Sequence, residues 1–235
     1  MASLALVLTG CDEITAEEEA EHSMLATSNG LLGINGLSTS NGLSTSNGLM
    51  TTAAGRTTVE YLVRCALPAT ATLSKKVAGV TYSFKGGLGL APAWQYGACN
   101  TDCQETVSAC MLAHINTAGV HVPLWVVAAD PSVGWSLNPM YPNQEGSFFG
   151  NIFIKGAHGT DPNRVAAFYC NGIAYQDGVV AGRIGANQNN APYTDPIPGR
   201  GYCKDSCTPA DLPNANAGFK ACNGWNHVMT VWRKN

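Results

Sequence analysis

Nine cysteines in a chain of 235 residues constrain its fold more than any other feature. Eight of them lie between residues 65 and 222, and no compact metal-finger spacing organises them. An even set of eight is consistent with four disulfides, although many different pairings fit that number. Because disulfides persist in oxidising compartments, we interpret these cysteines as the structural bonds of an exported domain: Cys65, Cys99, Cys103, Cys110, Cys170, Cys203, Cys207 and Cys222.

The composition supports an exported domain and excludes two other classes of protein. Charged residues make up 12% of the chain, about half of the ~25% that is usual for soluble domains. The net charge is −3 and no basic stripe is present, which argues against nucleic acid as a partner. No apolar run approaches the ~20 residues that a membrane-spanning helix requires.

The ninth cysteine, Cys11, ends the motif Leu8-Thr9-Gly10-Cys11, which follows a short apolar run at residues 2–9. This segment resembles the lipobox of bacterial lipoproteins, in which a diacylglycerol alkylates the cysteine and the chain is cleaved before it. The resemblance implies that residues 1–11 are a signal with Cys11 as lipid anchor, and that the membrane is a partner. No Lys or Arg precedes the apolar run, a departure that a start upstream of Met1 would explain. The alternative is an apolar N-terminus with an unmodified cysteine.

Residues 12–55 combine an acidic stretch with an Asn-Gly-Leu repeat of period six, which begins at Asn29, Asn35, Asn41 and Asn47. Like charges repel and remain solvated, and Asn-Gly favours turns. The segment is therefore predicted to be a flexible tether. Two alternatives remain: a β-solenoid with the leucine of each copy stacked inward, or irregular turns packed along the domain surface.

Residues 56–235 are predicted to form one disulfide-stabilised α+β domain, with a few helices packed on a mostly antiparallel sheet. Apolar periodicity predicts helices at 57–67, 101–119 and 145–155. Strands are predicted at 80–84, 120–128, 165–170, 178–184 and 227–232. Cys103 and Cys110 lie two turns apart on the inward face of the second helix, so they cannot bond to each other and each requires another partner.

Three runs of this domain resemble an uncharacterised family of exported bacterial cysteine-rich proteins. They are CQETVSACMLAHIN (103–116), QEGSFFGNIF (144–153) and CTPADLPNANAGFKACNGWNHVMTVWR (207–233). The resemblance covers most of residues 57–235. It implies export to the cell envelope or the cell surface, and it implies no activity.

One alternative is a cysteine-type cell-envelope hydrolase. The run 226–231 (NHVMTV) resembles the histidine strand of papain-like and NlpC-like cysteine hydrolases, which place their cysteine at a helix N-terminus. By that resemblance His227 would accept the proton of Cys103, or of Cys110. Against this hypothesis, only eight residues follow His227, so no orienting Asn or Asp follows it within a domain-length stretch, and a free Cys103 leaves an odd number of cysteines. A structural histidine is the preferred interpretation.

A zinc site is a second alternative, because Cys99-x3-Cys103 and Cys203-x3-Cys207 offer four thiolates. The C-x3-C spacing is a loose signal, and exported thiols are usually oxidised, so we predict no metal and no cofactor. The preferred function is a binding or structural domain outside the cytoplasm. Its expected partner is a glycan or another envelope protein, because aromatic residues near the Asn-rich loops can stack on sugars.

Overall fold

The computed structural model describes residues 39–43, 48–116, 122–155, 165–172, 179–184 and 197–234. Cys11, the first two Asn-Gly-Leu copies and Gly119, where the second helix is predicted to end, lie outside the described residues. Within the described part of the chain, no helix is long and apolar enough to cross a membrane.

The described chain contains four α-helices and nine strands in mixed order, besides two short 3-10 helices at Gly48–Thr51 and Pro92–Gln95. These are α1 (Ala53–Ala66), β1 (Thr72–Val77), β2 (Val80–Lys85), α2 (Thr101–His114), β3 (Leu124–Ala128), β4 (Asn143–Lys155), β5 (Val165–Asn171), α3 (Val179–Ile184), β6 (Gly199–Tyr202), α4 (Cys203–Ser206), β7 (Cys207–Pro209), β8 (Phe219–Cys222) and β9 (Val228–Arg233). The main sheet has the strand order β3-β9-β4-β5-β6, and only the β5–β6 pair is parallel. The α+β class with a mostly antiparallel sheet is confirmed.

The main sheet separates two hydrophobic cores. On β5, Ala167 and Tyr169 enter the larger core with helices α1 and α2, whereas Ala166 and Phe168 enter the smaller core with the β7–β8 hairpin. The same alternation places Met229 of β9 in the larger core and Val228 in the smaller one. Successive residues of a strand point to opposite faces, so a strand between two layers is apolar at nearly every position.

Strand β4 corrects the helix that the sequence predicts at 145–155. Phe148 and Phe149 are both fully buried, and they face the larger and the smaller core respectively. A buried strand and one turn of a buried helix give the same short apolar run, so periodicity does not separate them. The predicted strand at 178–184 is also wrong, since Val179–Ile184 is the helix α3.

The two longer helices are capped by side chains that precede them. The Thr52 hydroxyl accepts the Gly55 amide at 3.0 Å, and the Asn100 side chain accepts the Cys103 amide at 3.0 Å. Asn100, rather than a residue within the predicted 101–119 segment, is therefore the cap of α2. Helix α2 ends at His114.

Four disulfides use all eight cysteines of the domain. Cys65–Cys110 joins α1 to α2 with Cα atoms 6.0 Å apart, and Cys99–Cys103 ties the preceding loop to the first turn of α2. The prediction that Cys103 and Cys110 bond elsewhere is confirmed. The other two bonds, Cys170–Cys203 and Cys207–Cys222, lie in the smaller core.

The packed domain extends N-terminal to residue 56. Leu43, Leu49 and Met50 belong to the larger core, and the Cys99 amide donates to the carbonyl of Thr39 at 2.9 Å. In both repeat copies whose leucine is described, that leucine is buried. The C-terminal part of the predicted tether segment therefore packs against the domain.

Glu145 of β4 is a fully buried carboxylate that joins four elements. It accepts hydrogen bonds from the guanidinium group of Arg183 on α3, at 2.8 and 2.9 Å, and from Arg233 of β9 at 3.2 Å. Arg183 also donates to the carbonyls of Ala113 and Ile115 at the end of α2. Breaking a buried ion pair on one side costs about 3–5 kcal/mol, because the partner charge stays in the interior.

We expect Glu145→Gln to lower the free energy of unfolding by about 3 kcal/mol or more in urea denaturation. The matched control is Asp211→Asn, which removes an exposed partner of Lys220 and should cost less than about 1 kcal/mol. Equal losses in the two variants would contradict the role assigned to Glu145.

Candidate functional site

A cleft of about 210 Å³ opens where the first half of α2 meets the loop after β3 and the start of β9. Its wall is partly apolar, from alanine and methionine side chains, and partly polar. The lining residues are Thr106, Ala109, Ala128, Ala129, Asp130, Pro131, Asn226, His227, Val228 and Met229.

His227 is held in this cleft by Thr106. The ring Nδ1 lies 2.8 Å from the Thr106 hydroxyl oxygen, and that hydroxyl donates to the carbonyl of Asp102 at 2.8 Å. Since a hydroxyl has one proton, Thr106 accepts from Nδ1–H, and the Nε2 of a neutral ring carries the lone pair. Nε2 lies 3.5 Å from Oδ1 of the exposed Asp102.

Glu105 supports the loop that carries His227. Burial raises the pKa of Glu105 above its ordinary value. The charge of His227 opposes this shift, the Asp102 carboxylate adds to it, and a hydrogen bond from the Asn226 backbone also opposes it. Glu105 therefore fastens the residue before His227 to α2. Three carboxylates (Asp102, Glu105 and Asp130) belong to the cleft or its margin, which gives this region acidic character.

The structure places Cys103 on the same turn of α2 as this group, three residues before Thr106. Its sulfur is bonded to Cys99, and the sulfur of Cys110 is bonded to Cys65. Neither is a thiol in this oxidised form, so neither is available there as a nucleophile. His227 directly precedes β9, whereas the predicted strand at 227–232 includes it.

The two C-x3-C motifs, at Cys99 and at Cys203, do not converge on one four-cysteine site. Cys99 and Cys103 bond to each other, whereas Cys203 and Cys207 bond to Cys170 and Cys222. Two other groups of sulfur and imidazole atoms converge: Cys65 with Cys110 and His114, and Cys170 with Cys203 and Cys207. In both groups every sulfur belongs to a disulfide.

Sequence reasoning identifies His227 but misses Asp102, Glu105 and Thr106 as its neighbours. These residues lie at i, i+3 and i+4, so they share one face of α2. That polar face is readable from the sequence. Its contact with residue 227 spans 121 positions and depends on how α2 packs on the sheet.

No family model, curated protein or solved structure matches the chain.

The hydrogen bonds within the cleft determine which of its groups remain for a ligand. Among the described lining residues, the Thr106 hydroxyl is the nearest candidate nucleophile to His227, and it is engaged on both sides. What remains for a ligand is an imidazole nitrogen, the polar groups of Asn226 and Asp130, and the exposed apolar surface of Ala129 and Pro131. A few polar groups over an apolar wall are typical of small-ligand sites.

Proposed function

We propose that this chain is an exported, lipid-anchored protein of the bacterial cell envelope whose disulfide-stabilised domain binds an envelope glycan at the His227 cleft. The observation that carries the proposal is that four disulfides use all eight domain cysteines. Such bonds persist in oxidising compartments outside the cytoplasm.

The proposed anchor is Cys11. Its lipobox-like motif supports lipidation, and its assignment as anchor leaves an even set of cysteines for the domain. Bacterial lipoproteins of this type carry several acyl chains, and more than one chain is needed for stable attachment. The anchor would hold the binding domain at the membrane surface.

The size and chemistry of the cleft support a glycan end as the ligand. A volume of about 210 Å³ is below the ~300–1,000 Å³ typical of pockets that enclose a drug-sized molecule. Such a cleft accommodates one sugar unit at the end of a chain. Hydroxyl and acetamido groups would pair with His227, Asn226 and Asp130, while a sugar face would rest on the exposed Ala129 and Pro131.

Cys11→Ser tests the anchor in the full chain expressed in a bacterial host. We expect the unaltered chain to incorporate an alkyne-tagged fatty acid and to enter the detergent phase on phase separation. The serine variant should lose the label and move to the aqueous phase. A Cys99→Ser/Cys103→Ser variant is the control and should keep the label. A label that persists in Cys11→Ser would contradict the anchor.

Titration with disaccharide fragments of peptidoglycan tests the cleft, using the full chain carrying Cys11→Ser. We expect His227→Ala to weaken binding about tenfold, the effect of losing roughly 1.4 kcal/mol of hydrogen bonding. Asp205→Ala, an exposed change on α4, is the control and should leave binding intact. The glycan assignment fails if the fragments do not bind, or if His227→Ala binds them as the parent does.

A further inference from the structure

The two disulfides of the smaller core are in direct contact. The Sγ atoms of Cys170 and Cys207 lie 3.6 Å apart although they belong to different bonds. The sulfurs of Cys170, Cys203 and Cys207 all lie within 4.8 Å of one another, and that of Cys222 lies outside this group of three. Cys203 and Cys207 are this close to Cys170 because they flank the single turn of α4.

The four cysteines differ in their access to solvent. Cys170 and Cys203 are fully buried and Cys222 is 1% exposed, whereas Cys207 is half-buried at the edge of the hairpin. Apolar side chains of the same core, among them Phe149, Phe168 and Phe219, surround the buried Cys170–Cys203 bond, which we call the inner bond. A reductant from solution therefore reaches Cys207 before it reaches the Cys170–Cys203 bond.

We propose that these two bonds form a thiol–disulfide exchange unit, in which an external dithiol reduces Cys207–Cys222 and Cys207 then transfers the reduction to Cys170–Cys203. The partner is a reductant with two neighbouring thiols, of the kind carried by a C-x-x-C protein. The proposal goes beyond envelope anchoring and glycan binding, and it rests on neither of them.

The exchange begins at the Cys207–Cys222 disulfide, which we call the outer bond. A thiolate of the dithiol attacks Sγ of Cys207, and the bond to Cys222 breaks with its electron pair on the Cys222 sulfur. The second thiol of the reductant then closes its own disulfide and releases Cys207 as a thiolate. The reductant has lost two electrons, and its two protons pass to the protein sulfurs.

The reduction then moves inward. The Cys207 thiolate attacks Sγ of Cys170, and Cys203 leaves as a thiolate that takes up a proton. Cys222 attacks Sγ of Cys207, restores the Cys207–Cys222 bond and releases Cys170, which takes up the second proton. The net result is one oxidised dithiol and one reduced Cys170–Cys203 pair.

One rotation is needed for the inward step. In-line attack requires the Cys207 sulfur to lie opposite Cys203 along the Cys170–Cys203 bond, which would place it more than 4.8 Å from the Cys203 sulfur. In the structure the two sulfurs lie within 4.8 Å, so Cys207 approaches the bond from the side. Once the bond to Cys222 is cut, the Cys207 side chain is free to turn about its Cα–Cβ bond. A disulfide holds that torsion fixed, so exchange starts only after the outer bond opens.

Two variants that remove the same bond provide a matched test. Cys222→Ser leaves Cys207 as the free thiol, and Cys207→Ser leaves Cys222. After acid quench, alkylation and digestion without reductant, we expect Cys222→Ser to contain Cys170–Cys207 peptides and an alkylated Cys203. In Cys207→Ser we expect the Cys170–Cys203 bond to be retained, with exchange on the order of tenfold lower.

The proposal is overturned if Cys222→Ser keeps its Cys170–Cys203 bond intact, or if both variants exchange to the same extent. Should either variant fail to fold, the unaltered chain is exposed to limiting dithiothreitol for a series of times, and its disulfide linkages are mapped at each time. The Cys170–Cys207 linkage should then appear transiently, before free Cys170. Loss of the Cys170–Cys203 bond without that linkage at any time point overturns the proposal.

Discussion

The burial of both faces of β4 is the constraint on which the rest of the domain depends. Its residues alternate between a helix-covered core and a core sealed by the disulfide-rich hairpin. Residues 144–152 of this strand have no solvent-facing side on which to place a charge, so Glu145 is stable there only with its two arginine partners. Those arginines fix α3 and β9 relative to β4, and Arg183 also binds the end of α2. One buried carboxylate thus couples the strand to the elements around it.

The same packing creates the cleft. Because α2 lies across β4 and β9, the polar face of its first half meets the residues that lead into β9, and Thr106 reaches His227. The Cys99–Cys103 bond and the Asn100 cap hold this end of the helix. In this oxidised form the sulfur of Cys103 is bonded to Cys99, and the hydrogen-bond partner of His227 on α2 is the Thr106 hydroxyl.

Several features of the fold could be predicted from the sequence, because each depends on apolar periodicity within one segment or on the number of cysteines. Periodicity predicts the first two helices and a strand at 227–232, which the structure places at Val228–Arg233, and an even count predicts the paired cysteines. The predictions that were wrong or missing depend on contacts between residues distant in sequence. The 145–155 segment was predicted as a helix because two adjacent phenylalanines do not reveal that each faces a different core. The neighbours of His227 were missed for the same reason, since they are distant in sequence and meet only when α2 docks. The burial of Leu43 and Met50 was hidden by the turn-rich composition around them.

The domain folds around four disulfides, which are Cys65–Cys110, Cys99–Cys103, Cys170–Cys203 and Cys207–Cys222. The most direct measurement is disulfide mapping by mass spectrometry on chain isolated from a bacterial envelope and alkylated under denaturing, non-reducing conditions. We expect the eight domain cysteines to be unreactive and linked in these four pairs. An alkylated Cys103 or Cys110 would contradict it, and would restore the cysteine-hydrolase hypothesis with His227 as its base.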